Sequence, residues 1–72
     1  MSLHKAPLNR AVRIASIPDY QTRLQLLRLG ICEGSEIVCE QRIPFGPVVF
    51  RHRHNRLALG RRIARDIHVQ VI

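Results

Sequence analysis

The sequence predicts a mainly β fold: a small, strongly bent antiparallel barrel of five short strands, with one short helix in the N-terminal half and a helical turn before the last strand. Three observations support this prediction. The chain has 72 residues, which allows one domain with a small core. It contains no Trp, one Tyr and two Phe, so the core must be built from Leu, Ile and Val. Short alternating segments are separated by Pro, Gly and Asn, as in compact β proteins.

The chain opens with a leader and a strand. Residues 1–9 predict a loose leader ahead of a single domain at residues 10–72, because they show no periodic apolar pattern. Arg10–Ile17 alternates, with Val12 and Ile14 on one side and Arg13 on the other. This alternation is typical of a half-buried strand.

Tyr20–Gly30 predicts one short helix, with Asp19 as its N-cap and Gly30 as its stop. The apolar side chains fall at helical spacing and predict a core-facing stripe, formed by Tyr20, Leu24 and Leu27 and widened by Leu26 and Leu29. A five-stranded barrel cannot cover both sides of such a helix. Leu26 and Leu29 are therefore candidates for an apolar patch that meets a partner or a second copy.

Two strands flank a proline-rich turn. Ser35–Ile43 is the second predicted strand, and it follows a loop in which Gly34 is free to adopt a positive φ. The letters PFGP predict a turn. Val48–His54 is the third strand, with Phe50 facing inward. Its side chains divide between two faces, one with Val48, Phe50, His52 and His54, the other with Val49, Arg51 and Arg53.

The last third predicts a hairpin, a helical turn and a final strand. Asn55 and Arg56 mark the hairpin, since Asn tolerates a left-handed conformation. The letters RLALG form the returning strand and RRIARD the helical turn. The final strand, IHVQVI, directs Ile67, Val69 and Val71 inward and His68 outward.

Positive charge is concentrated in the second half of the chain. Twelve basic residues stand against five acidic ones, giving a net charge of +7. From Gln41 onward there are seven arginines and one acid, Asp66. Such a basic half indicates an anionic partner, which could be nucleic acid, acidic lipid or an acidic protein surface, or else a solvated face. Because no aromatic platform and no second recognition helix are predicted, nucleic acid is the less favoured partner.

Four side chains are candidates for a transition-metal site for iron or zinc: Cys32, Cys39, His52 and His54. The cysteine spacing is wider than that of structural zinc sites, and no spacing fixes a geometry. The alternative is that Cys39 is a small core residue, Cys32 lies in a loop and both histidines lie on the hairpin surface.

Catalysis is not predicted, because the acids are scattered and no phosphate-binding loop is present. The absence of a long apolar run and of a signal peptide predicts a cytoplasmic protein that does not insert into a membrane.

The order of three motifs resembles the FeoA family of bacterial ferrous iron uptake proteins. They are the helix end RLQLLRLGICEGSEIV, the turn PFGP and the tail RLALGRRIARDIHV, and the resemblance runs from about Leu8 to Ile72. It implies an SH3-like barrel, similar to the C-terminal domain of iron-dependent repressors. It also implies a role beside FeoB, a membrane ferrous iron transporter with a cytosolic GTP-binding domain. His52 and His54 depart from the branched aliphatic residue and the glycine that are usual in relatives.

The resemblance and the charge pattern together predict a cytosolic, non-enzymatic adaptor without a cofactor that binds the cytosolic domain of a FeoB-type transporter. The alternative is a metal-responsive or nucleic-acid-binding small barrel. Self-association is a further candidate. The candidate partner-binding residues are Pro44, Phe45, Arg51, Arg53, Arg56, Arg61, Arg62, Leu26 and Leu29.

Overall fold

The computed structural model describes residues 1–72 and confirms a mainly β fold. Five strands form one antiparallel sheet in the order β4-β3-β2-β1-β5. A 3₁₀ turn lies at Leu3–Lys5, and the main elements are β1 (Ala11–Ser16), α1 (Tyr20–Arg28), β2 (Glu36–Arg42), β3 (Val48–His52), β4 (Asn55–Leu59), α2 (Arg61–Asp66) and β5 (His68–Val71). The molecule measures 26 × 24 × 22 Å, so the sheet curls around one core. Neither helix is both long and apolar enough to cross a membrane.

The long strand β2 allows this curvature. Its first half pairs with β1 and its second half with β3, and the register with β3 shifts between Cys39 and Gln41. Such a bulge bends a strand and increases its twist. Cys39 lies fully buried at the bend, as predicted, and its burial raises the pKa of the thiol although Arg42 acts in the opposite direction.

The prediction of a loose leader at residues 1–9 was wrong. Leu3 and Ala6 are fully buried members of the core. The backbone continues the sheet beyond β5, because the Val69 N–H donates to the Met1 carbonyl at 2.8 Å and the Leu3 N–H donates to the Ile67 carbonyl at 2.7 Å. This segment thus covers the outer edge of β5, which would otherwise expose unpaired backbone groups. Two isolated apolar residues are too short a pattern to predict such packing.

The ends of α1 are as predicted. The Asp19 carboxylate accepts hydrogen bonds from the Thr22 N–H at 2.9 Å and the Thr22 hydroxyl at 2.8 Å. At the other end Gly30 has φ +80°, and the Ile31 N–H donates to the Leu26 carbonyl at 2.9 Å. This is a Schellman motif, in which the buried side chains of Leu26 and Ile31 accompany the backbone bonds.

The predicted core-facing stripe of α1 was right for Leu26, which is buried, and wrong for Tyr20, Leu27 and Leu29, which are exposed. Tyr20 and Leu27 are 59% and 56% exposed, whereas Thr22 and Leu26 are the buried residues of the helix. The hydroxyl of Thr22 can be buried without cost because Asp19 accepts its hydrogen bond. Thr22 can therefore lie on the core face of the helix, which apolar spacing alone does not predict.

Replacing Asp19 by alanine is expected to lower the melting temperature by a few degrees, because the Thr22 N–H and hydroxyl lose their acceptor. These hydrogen bonds lower the pKa of Asp19 from its ordinary value of 3.8. The folded state therefore releases this proton more readily, and the stabilisation is present above pH 3.8 and lost as the pH falls through the depressed pKa. Thermal unfolding at several pH values measures this, with Asp66→Ala as a control; equal melting temperatures for Asp19→Ala and the wild-type protein would contradict it.

The β3–β4 hairpin turns two residues earlier than predicted. The closing pair is His52 and Asn55, so the turn consists of Arg53 and His54. Arg53, rather than Asn55, adopts the left-handed conformation, with φ +56°. The shift places His52 at the end of a strand where it is only 8% exposed, while His54 lies exposed in the turn.

The final strand is largely as predicted. Ile67 and Val69 are buried and His68 is exposed. Val71 is exposed rather than inward-facing, because the sheet ends there.

Candidate partner-binding site

The turn between β2 and β3 holds an aromatic residue in an unfavourable position. The Gly46 N–H donates to the Ile43 carbonyl at 2.8 Å, which closes a β-turn with Pro44 and Phe45 at its centre. Phe45 has φ +58°, at a position where turns of this kind usually carry Gly or Asn. Its side chain is 92% exposed. A bulky residue that is both strained and exposed buries little surface in the fold, so it marks a candidate contact.

A cavity of about 320 Å³ lies beside this turn. One part of its wall is apolar and the other is basic, and together they comprise His4, Arg42, Ile43, Pro44, Phe45, Gly46, Val48 and Arg61. The Arg61 guanidinium lies 5.7 Å from the centre of the Phe45 ring, within cation–π distance. Arg42 donates through Nη1 to the Ala6 carbonyl. The N-terminal segment, strand β2 and helix α2 thus meet at one site.

His4 reaches the cavity because the N-terminal segment is fixed against α2. The Ser2 hydroxyl donates to the Arg65 carbonyl at 2.7 Å, and its oxygen lies 3.1 Å from Nδ1 of His4. Partial burial, followed by the positive charges of Arg61, Lys5, Arg65 and Arg42, lowers the pKa of His4 from its ordinary value of 6.5. No acidic side chain lines the cavity. The site therefore carries positive charge without a protein counter-charge.

The other candidate arginines differ in this respect. Glu40 pairs with Arg56 at 2.8 Å and with Arg51 at 3.6 Å. One carboxylate thus partly neutralises two of the predicted contacts. Arg53 lies in the hairpin turn, and Arg62 borders a separate cavity that also contains acidic side chains.

The structure therefore brings together only part of the predicted set. Pro44, Phe45 and Arg61 line one cavity, whereas Arg51, Arg53 and Arg56 lie on the hairpin. Leu29 is exposed at the end of α1, but Leu26 is buried, so the prediction of Leu26 as a contact was wrong. His4 and Arg42 were missed. Their sequence neighbourhoods carry no signal, because only tertiary packing brings them to the turn.

The four metal candidates do not form one cluster. Cys39 is buried in the core, and His54 lies in the hairpin turn. Cys32 and His52 border the same cavity, but Nδ1 of His52 lies 3.2 Å from the Glu36 carbonyl oxygen. No group of three or more His, Cys, Asp or Glu side chains is placed to hold a metal ion. The prediction that His52 lies on the hairpin surface was wrong, since it is buried.

Comparison with known proteins identifies the family. A family model described as the FeoA domain matches residues 1–71, essentially the whole chain. The chain belongs to the FeoA family. This family is linked to ferrous iron transport. No curated protein sequence matches the chain significantly.

Solved structures support this assignment. A FeoA-like protein from Clostridium acetobutylicum is 28% identical, with a TM-score of 0.79 over all of this chain and 86% of that chain. The iron(II) transport protein A from Clostridium thermocellum is 26% identical, with a TM-score of 0.85 over all of this chain and 46% of that chain. ScaR, solved with bound Zn²⁺, shares the fold at 20% identity, with a TM-score of 0.87 over all of this chain and 37% of that chain. The curled five-stranded sheet is consistent with the SH3-like barrel of the family.

Proposed function

We propose that this FeoA-family domain is a non-enzymatic adaptor in ferrous iron uptake that binds the cytosolic region of a FeoB-type transporter. The observation that carries the proposal is Phe45, an exposed aromatic side chain held at a left-handed turn position beside an unneutralised basic cavity. Exposed aromatic and arginine side chains are the residue types that contribute most to protein interfaces. Family membership links the domain to ferrous iron transport, and the exposed aromatic and basic residues form the surface proposed to bind the transporter.

The placement of the acidic residues supports binding rather than catalysis. Asp19 caps α1, Glu33 accepts a hydrogen bond from the Ile17 N–H, and Glu36 and Glu40 pair with arginines. These carboxylates serve the fold and lie outside the cavity. The cavity instead offers permanent cations and apolar surface, which suit recognition.

The proposed mechanism is a bias on the transporter's conformation or nucleotide state. A bound adaptor shifts an equilibrium only to the extent that it binds one state more tightly than the other. The turn, the cavity and α2 are joined to one packed core, which is the support that such discrimination between states requires.

Replacing Arg61 by glutamate is expected to weaken binding to the cytosolic domain of the cognate transporter by about tenfold or more, because it reverses charge in the cavity and removes the contact with Phe45. Titration of the purified domain by calorimetry at physiological salt, with and without Fe²⁺, measures this. Arg28→Glu makes the same charge change at an exposed position outside the cavity and is expected to bind like the wild-type protein.

Absence of binding by the wild-type protein under both metal conditions would overturn the proposal. Equal losses for Arg61→Glu and Arg28→Glu would show instead that only net charge matters. Binding to an oligonucleotide that falls steeply with salt and ignores sequence, in place of binding to the transporter domain, would favour the nucleic-acid alternative.

A further inference from the structure

We propose that the cavity beside the Pro44–Gly46 turn binds a carboxylate side chain of an acidic, extended partner segment, and that His4 takes up a proton as the carboxylate enters. The inference deepens the proposed function and rests on it for the source of the segment, which would belong to the transporter. It assigns a role to His4 and Arg42, which lie outside the motifs that characterise the chain.

The volume of the cavity and the chemistry of its lining residues indicate what kind of ligand it binds. A volume of about 320 Å³ is at the lower end for ligand sites, so it accommodates one or two side chains. The apolar wall, formed by Ile43, Pro44 and Val48, suits an aliphatic side chain. The basic side chains of the lining, which are His4, Arg42 and Arg61, suit an anion. A carboxylate followed by an aliphatic residue satisfies both walls.

Contacts within the protein restrict the two cavity arginines, Arg42 and Arg61, and leave N–H donors free to bind a carboxylate. Arg42 is anchored through one N–H to the Ala6 carbonyl, and its remaining donors have no protein acceptor. Arg61 lies against the Phe45 ring and makes no hydrogen bond or ion pair within the protein. A guanidinium presents its N–H donors as a planar fork that matches a carboxylate. Because one contact already restricts each side chain, less conformational entropy is lost when the ligand binds.

His4 is expected to make ligand affinity at this cavity depend on pH. The groups that face it are the Ser2 hydroxyl and Lys5 from its own segment, Arg61 and Arg65 from α2, and Arg42 from β2. All four charged neighbours are cations, and with partial burial they lower the pKa of His4. A carboxylate in the cavity supplies the missing negative charge and raises that pKa. The bound state therefore holds more protons than the free state, so affinity rises as the pH falls through the pKa that His4 has in the bound state.

The distribution of charge favours an acidic protein segment over nucleic acid. Strand binding by nucleic acid needs a continuous basic track and several aromatic platforms. Here Glu40 interrupts the basic surface by pairing with Arg51 and Arg56, and Phe45 is the one exposed aromatic side chain near the cavity. A compact pocket with an apolar wall matches a peptide better than a phosphate backbone.

Calorimetric titration of the full chain with a capped peptide of alternating glutamate and leucine tests the proposal. The control peptide carries glutamine in place of glutamate. Titrations at about pH 6 and about pH 7.5, in two buffers with different ionisation enthalpies, count the protons that are taken up. The wild-type protein is expected to bind the glutamate peptide more tightly at the lower pH, by up to about tenfold, and to take up a proton. His4→Asn is expected to take up no proton and to bind the glutamate peptide with an affinity that no longer differs between the two pH values.

Three results would overturn the inference: equal binding of the glutamine peptide, unchanged proton uptake in His4→Asn, or tighter binding of an oligonucleotide that displaces the peptide. Failure of the peptide to bind, while the transporter's cytosolic domain binds the wild-type protein and not Arg61→Glu, would overturn the carboxylate inference and leave the adaptor function standing. Failure of both ligands would overturn both proposals.

Discussion

Replacing Leu3 by alanine is expected to destabilise the domain by about 2–5 kcal/mol, the usual cost of truncating a buried leucine. Leu3 is 1% exposed and belongs to the core cluster. Its backbone N–H also donates to the Ile67 carbonyl, so loss of the side chain is expected to loosen the N-terminal segment that covers the edge of β5. A chain of this length has a total stability of about 4–11 kcal/mol, so the change removes a large share of it.

Urea unfolding followed by circular dichroism measures this loss. Leu8→Ala is the matched control, since Leu8 lies in the same segment but is exposed, and a change of less than about 0.5 kcal/mol is expected there. Identical unfolding midpoints for Leu3→Ala and the wild-type protein would mean that residues 1–9 are a loose leader after all. In that case His4 would not be held at the cavity.

Replacing Phe45 by glycine is expected to weaken binding of the transporter's cytosolic domain by about 30-fold, the loss of about 2 kcal/mol that is common when an aromatic hot spot is truncated. The same change is expected to leave the melting temperature unchanged or slightly raised. Phe45 is 92% exposed and its φ of +58° costs a non-glycine residue about 1 kcal/mol, which glycine avoids. A side chain that lowers stability but strengthens binding is typical of a functional position.

Calorimetric titration and thermal unfolding of the same preparation test both halves of this prediction. Leu27→Ala provides the control, because Leu27 is another largely exposed apolar residue but lies on α1. It is expected to bind like the wild-type protein. If Leu27→Ala loses binding and Phe45→Gly keeps it, the partner meets the exposed face of α1 and the assignment of the site is wrong.

The parts of the fold that sequence predicts well are those with a local physical cause. Alternation places Val12 and Ile14 inward because successive side chains of a strand point to opposite faces. Asp19 caps α1 and Gly30 ends it for reasons that lie within one helical turn. These features needed no knowledge of distant residues.

The errors arise where a distant contact overrides a local pattern. Apolar spacing favours Tyr20 and Leu27 as core residues, but Thr22 and Leu26 are the residues of the helix that are buried against the rest of the fold. Asn55 is the better turn former, yet the register with β3 places Arg53 in the left-handed position. Both outcomes depend on tertiary packing, which the local pattern does not contain.

The candidate site was predictable only in part. The turn that presents Phe45 could be predicted from the letters PFGP. The basic charge of Arg61 could be read directly from the sequence. The pairing of Glu40 with Arg51 and Arg56 depends on strand register, so a count of charges cannot separate neutralised from free arginines. Likewise, His4 joins the site only because the N-terminal segment packs against α2.

The most direct test of the adaptor site is to map binding residue by residue. A ¹⁵N-labelled sample of the domain would be titrated with the unlabelled cytosolic domain of its cognate transporter, and backbone amide shifts followed by NMR. We expect the largest shifts at Phe45, Arg42, Arg61 and His4, with little change in the hairpin turn at Arg53–His54. Shifts concentrated on the exposed face of α1 or on that hairpin, with the cavity unperturbed, would contradict it.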